Sequence, residues 1–149
     1  MKCIISGHRL HKLKTYNIDW IRKAIEDAVL EINPSIGISG MAGGVDLIFC
    51  ETLINLNIPY YAYVPFKEQG DLYPEEKESR DKCLKFAKEI FYAKNFKMVE
   101  DANCGIVVFD GNKGGTHNVF QQMLEKRKSM IWINPISECI WDLNQPKTF

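Results

Sequence analysis

Apolar runs and amphipathic stretches alternate along this chain almost from its first residue. Lys2 to Ser6 is a short apolar run that predicts a buried strand. After a basic stretch, apolar residues recur at helical spacing at Ile18, Ile21, Ile25, Ala28 and Ile32. Asn17 is a good N-cap for this helix, and Asn33-Pro34 ends it, because the residue before a proline is pushed out of the α region. Ile36 to Ser39 predicts a second strand, Gly40, Gly43 and Gly44 a turn, and Val45, Ile48, Phe49 and Leu53 a helix from about Gly44 to Leu56.

The alternation then continues. Tyr60 to Val64 is rich in β-formers. Pro74, Glu75 and Glu76, with Lys82, Lys85 and Lys88 further on, match the charge order that a helix dipole favours. Strands are expected at Glu89 to Ala93 and Cys104 to Phe109, with a short helix from Asn95 to Ala102 between them. A helix carrying Val119, Met123 and Leu124 ends near Lys128, and Met130 to Ile133 is expected to close the sheet. The tail, 136–149, holds Ile136, Ile140, Trp141 and Leu143 without a clear period, and is expected to pack down onto the rest. Strands alternating with helices predict a doubly wound α/β fold, with a mostly parallel sheet and helices on both faces, in one domain spanning 1–149.

That fold organises the chemistry. In doubly wound sheets ligands bind beyond the carboxyl ends of the strands. Three unusual loops each follow a predicted strand: Gly7-His8-Arg9, Gly40 to Asp46, and Asp110 to Thr116. Two of them open helices with glycines, the arrangement that lets backbone N–H groups approach an anion. The candidate binding set is therefore Gly7, His8 and Arg9; Ser39, Gly40, Gly43, Gly44, Val45 and Asp46; and Asp110, Gly111, Gly114, Gly115 and Thr116.

Composition narrows the class. Nineteen basic residues balance nineteen acidic ones among 149, which argues against a dedicated nucleic-acid binder but leaves room for a local anion pocket. The five cysteines are odd in number and lack CxxC spacing, so they read as small core hydrophobes in a reducing compartment. With no apolar run near ~18 residues and no signal peptide, the expected setting is cytoplasmic and off the membrane. Three histidines without i,i+4 spacing suggest no metal site, and no motif requires a cofactor.

Individual residues carry alternatives. Gly43 and Gly44, with the N–H groups of Val45 and Asp46, would cradle a phosphate, or form only a tight turn. Gly114, Gly115 and Thr116 would make a second cradle, in which Thr116 could also serve as an N-cap. Arg9 is the best-suited phosphate cation, because its fork can pair with two oxygens. Asp110 could accept from a ribose hydroxyl or simply make an Asp-Gly turn. Phe66 and Tyr73 could wall a base or pack their loop, and Lys12 and Lys14 read as a solvated charge run. If the protein is an enzyme, Asp46, Glu51, Asp110 and His117 are its candidate catalytic groups.

The motifs SGHR (6–9), SGMAGGVD (39–46), PFKEQ (65–69), KNFKMVEDA (94–102) and DGNKGGT (110–116), in this order, resemble the SLOG superfamily, and within it the YpsA-like branch common in Gram-positive bacteria and their phages. The resemblance spans about Cys3 to Pro135 and implies a Rossmann-like fold that binds a nucleotide or nucleotide sugar, such as ADP-ribose or NAD, as a sensor or sequestering module. Relatives in that superfamily include the Lonely Guy phosphoribohydrolases and the DNA-processing protein DprA, which supply two alternatives: cleavage of a nucleotide N-glycosidic bond, and single-stranded DNA binding. The phosphoribohydrolase motif PGGxGTxxE corresponds here to NKGGTHNVFQQ, which lacks the proline and puts Val119 at the carboxylate position. Members of the family often pair, and the apolar tail around Trp141 could serve a homodimer interface or pack internally.

Overall fold

A computed structural model describes residues 1–64, 72–92 and 95–144. The PFKEQ motif with Phe66, together with Ala93, Lys94 and 145–149, lies outside the described residues. In chain order the elements are β1 (Lys2–Gly7), α1 (Leu10–Leu13), α2 (Ile18–Ile32), β2 (Ile36–Ser39), α3 (Val45–Asn55), β3 (Tyr60–Val64) and α4 (Pro74–Phe86), followed by β4 (Glu89–Tyr92), α5 (Asn95–Asp101), β5 (Cys104–Val108), α6 (Gly115–Glu125), β6 (Ser129–Asn134) and β7 (Cys139–Leu143).

The described strands form one sheet in the order β4-β3-β2-β1-β5-β6-β7, parallel throughout except for β7. The fold is thus the expected α/β, Rossmann-like, doubly wound architecture. From β1 the chain winds outward through β2, β3 and β4, then crosses to the other side of β1 for β5 and β6. The order reverses between β1 and β5, which places a crevice beyond their carboxyl ends.

Strand alternation sorts the side chains into two cores. On one face Cys3, Ile5, Ile106, Val108 and Ile133 meet Ile21, Ile25 and Val29 of α2 and Phe49 and Leu53 of α3. On the other, Ile4, Val107, Phe109 and Met130 meet Met98 and Val99 of α5 and Val119 and Met123 of α6. Burying each such aliphatic or aromatic side chain contributes roughly 1.5–3 kcal/mol, so both faces must be covered before the parallel strands are stable. As expected, Asn17 caps α2, its side chain accepting from Trp20 N–H.

Two elements depart from the sequence reading. The tail contributes β7, antiparallel to β6 with Trp141 opposite Trp132, so Met130 to Ile133 does not close the sheet. Asn134 turns the chain back, its side-chain oxygen accepting from the N–H groups of Ile136 at 3.0 Å and Ser137 at 3.4 Å. An edge strand exposed at four of its five residues leaves little alternation, and the tilted contact of Trp141 with Trp132, with centroids 4.7 Å apart, supplies packing that no local pattern announces. The basic stretch after β1 likewise contains the one-turn helix α1, pinned by the fully buried Leu13.

Candidate functional site

The crevice at the order reversal is a cleft of about 290 Å³. One wall is the loop after β1 with the start of α1, namely Gly7, His8, Arg9, His11 and Lys12. The other runs from the end of β5 into α6: Phe109, Asn112, Lys113, Gly114, Gly115, Thr116 and His117. Two cationic side chains on one wall and a helix N-terminus on the other form a surface suited to an anion.

The second glycine turn opens onto this cleft. Gly114 is the N-cap of α6, and Thr116 sits in the first turn rather than at the cap. Among the described residues the N–H groups of Gly115, Thr116 and His117 have no acceptor, whereas Asn118 N–H already closes on Gly114 C=O at 3.1 Å. Thr116 is nearly buried and accepts from the Ser6 hydroxyl at 3.3 Å, so its own hydroxyl hydrogen remains to donate elsewhere. A Cβ built on Gly114 or Gly115 would meet nothing within 4 Å, and neither has a left-handed φ. Neither packing nor backbone conformation calls for glycine at these two positions.

The first glycine turn is arranged differently. Met41 N–H donates to the Ser39 hydroxyl at 3.1 Å, and Ala42 N–H to the Asp46 carboxylate at 3.1 Å. Gly44 N–H donates to Glu76 of α4 at 2.7 Å, and Val45 N–H to His8 C=O at 3.1 Å. Of the two N–H groups expected to cradle a phosphate, those of Val45 and Asp46, the first thus ends on a protein acceptor, as does the neighbouring N–H of Gly44. Gly44 has φ +77, and a Cβ there would lie 2.5 Å from His8 O and 2.8 Å from Arg9 Cα. Its glycine serves close backbone approach to the loop after β1.

A charge network joins the two cleft walls. Asp110, with its side chain 3% exposed, accepts from Asn112 N–H at 2.9 Å and pairs with Lys12 at 2.9 Å, while the Tyr16 hydroxyl donates to it at 3.5 Å. Burial works to raise its pKa, but the Asn112 hydrogen bond and the charges of Lys12 and His8 prevail and leave it at about 2. The Asp110 N–H donates to His8 Nε2 at 3.2 Å, which assigns the ring proton of neutral His8 to Nδ1. Burial, and then the Lys12 charge, hold His8 below the ordinary imidazole value against the pull of Asp110. Asp46 has the opposite history. Burial lifts its carboxyl to about 7, although the Ala42 hydrogen bond and the Arg9 charge oppose the shift.

The predicted residues are therefore divided by the structure. Gly7, His8, Arg9, Gly114, Gly115, Thr116 and His117 share the cleft wall. Gly44 and Val45 stand behind the His8-Arg9 loop, Gly43 faces Glu76, and buried Asp46 lies against Gly40 and Ala42. Gly111 has φ +90 and faces the Trp132 ring. Glu51 points between helices, accepting from Ser79 and pairing with Arg22 at 3.4 Å. Tyr73 caps α4 under the Lys14 ammonium, 4.2 Å from its ring centroid.

Sequence reasoning missed three participants. Lys12 is no solvated bystander: it neutralises Asp110 at the cleft wall, while Lys14 pairs with Glu75 at 3.4 Å. Spacing of Arg9 and Lys12 by three residues, one helical turn, was the available signal. His11 also lines the cleft, for the same reason. Glu76 left no such trace, because its partner Gly44 is 32 residues away.

No family model and no curated protein matches this sequence. Among solved structures, the X-ray structure of TM1055, Northeast Structural Genomics Consortium target VT76, is similar with a TM-score of 0.52 at 11% identity, over 87% of this chain and 71% of that one. At that identity the likeness shows the fold alone, the α/β Rossmann-like architecture described above. Among the described residues no helix is long and apolar enough to cross a membrane.

Proposed function

We propose that this protein binds a nucleotide-derived ligand, of the AMP, ADP-ribose or NAD class, with a phosphate seated at the N-terminus of α6. The observation that carries the reading is the pair Gly114 and Gly115. Their Cβ positions are open, their backbone needs no glycine, and the three N–H groups that follow at the cleft meet no acceptor among the described residues. Glycine there keeps the helix end accessible to an incoming oxygen. Arg9 and Lys12 on the facing wall add the cationic complement, and the YpsA-like resemblance agrees with a sensing or sequestering role. Cytoplasmic residence and a homodimer belong to the same reading.

Calorimetry and thermal shift with AMP, ADP-ribose and NAD test it. At least one should bind, and Gly115→Ala should weaken binding at least tenfold, about 1.4 kcal/mol, without loss of stability. Absence of binding to all three, with no nucleotide co-purifying in native mass spectrometry, would sink the proposal. Hydrolysis of an N-glycosidic bond is the second reading, favoured by one observation: of Asp46, Glu51, Asp110 and His117, the cleft wall includes His117. Release of free base that is abolished in His117→Ala would establish it. Single-stranded DNA binding would instead appear as an affinity falling steeply with salt.

A further inference from the structure

Glu76 is a buried carboxylate that does not line the cleft yet holds a tight, specific geometry. One oxygen accepts from Gly44 N–H at 2.7 Å, and the other from Tyr73 N–H at 3.2 Å. A Cβ on Gly43 would fall 2.6 Å from the same carboxylate, so glycine at 43 makes the room that Glu76 fills. Its side chain is thereby clamped between the start of α4 and the β2–α3 turn.

The turn it grips leads to the cleft. The next N–H, that of Val45, donates to His8 C=O, and Gly44 Cα packs against the backbone of His8 and Arg9. His8 in turn ties to β5, its N–H donating to Val108 C=O at 3.3 Å and its Nε2 accepting from Asp110 N–H. Asp110 then holds Lys12. A continuous row of hydrogen bonds and backbone contacts thus runs from α4 through the first glycine turn to both cleft walls.

We propose that Glu76 is a positioning residue for the ligand cleft: by fixing the β2–α3 turn against the His8-Arg9 loop, it sets the placement of Arg9 and Lys12 opposite the N-terminus of α6. The inference rests on the function proposed above. It assigns the SGMAGGVD turn the role of a strut behind the site, and it predicts that a residue which touches no ligand controls affinity.

Glu76→Ala and Glu76→Gln are compared with wild type by calorimetry with AMP, and His8 is followed by NMR pH titration well below the melting temperature. Glu76→Ala should bind AMP at least about tenfold more weakly. Glu76→Gln keeps one side-chain oxygen for Gly44 N–H, and should fall between the two. In the folded Ala variant, or the Gln variant should Ala fail to fold, His8 should titrate nearer the ordinary imidazole value, because its loop is no longer held in the buried position beside Lys12 that depresses it. A merely structural carboxylate would lower the melting temperature and leave that titration unmoved. Wild-type AMP affinity with an unmoved His8 overturns the proposal. Tighter binding in the variants also overturns it, because Glu76 would then be occupying a seat that the ligand prefers. If wild type binds none of AMP, ADP-ribose and NAD and carries no co-purifying nucleotide, the proposed function falls, and the His8 comparison still decides the role of Glu76.

Discussion

The two glycine turns make opposite predictions for the same substitution. Gly44→Ala forces a side chain onto a residue at φ +77, which costs of order 1–3 kcal/mol in backbone strain. Its Cβ would stand 2.5 Å from His8 O and 2.8 Å from Arg9 Cα, well inside van der Waals contact. Those neighbours are backbone atoms and cannot rotate away, so the overpacking adds roughly another 1–3 kcal/mol. The total of about 2–6 kcal/mol is a large share of the 5–15 kcal/mol that stabilises a typical domain. At roughly 2–4 °C per kcal/mol for a chain of this size, the melting temperature should fall by on the order of 10 °C. Gly115→Ala meets no atom within 4 Å and should leave stability within about 0.5 kcal/mol of wild type, while impairing nucleotide binding. Urea and thermal denaturation of both variants, alongside calorimetry with AMP, measure the contrast. A Gly44→Ala protein as stable as wild type would refute the packing argument, and equal destabilisation by both substitutions would refute the division of labour between the turns.

Two further predictions concern acidity. Asp110 is held at about 2, below its unfolded value, so its contribution is present at neutral pH and is lost as pH falls from about 4 toward 2. The shift alone corresponds to roughly 2.5 kcal/mol, and screening through the 39% exposed Lys12 reduces this to about 1–2 kcal/mol. Asp110→Asn should therefore be less stable than wild type at pH 7 and match it near pH 2; a gap that persists undiminished at pH 2 contradicts the ion-pair account. Asp46 has the reverse sign. Its folded value of about 7 lies above the unfolded one, so the folded state loses stability as pH rises from about 4 to 7. Asp46→Asn should flatten that slope, by at most about 4 kcal/mol, and a slope unchanged in denaturation curves across this range would exclude burial of the carboxyl.

The sequence by itself determined the order of elements and the class of sheet. Local rules were enough for this, because Ile18 to Ile32 repeats at helical spacing, Asn17 and Pro34 bound it, and six β-forming runs alternate with helices. Parallel winding then followed from the short connections and their handedness. Local signals were weak for β7, whose exposed edge position gives little periodicity, and for α1, a single turn anchored by Leu13. At the site, the types of residue were readable but not their partners. Hydrogen-bond acceptors for a glycine turn are set by what packs against it, and a sequence contains no distance between Gly44 and Glu76, or between Lys12 and Asp110. SGMAGGVD and DGNKGGT look like equivalent glycine loops along the chain. Only the tertiary structure separates them, because α4 brings a carboxylate to the first and nothing among the described residues reaches the N–H groups that begin the second.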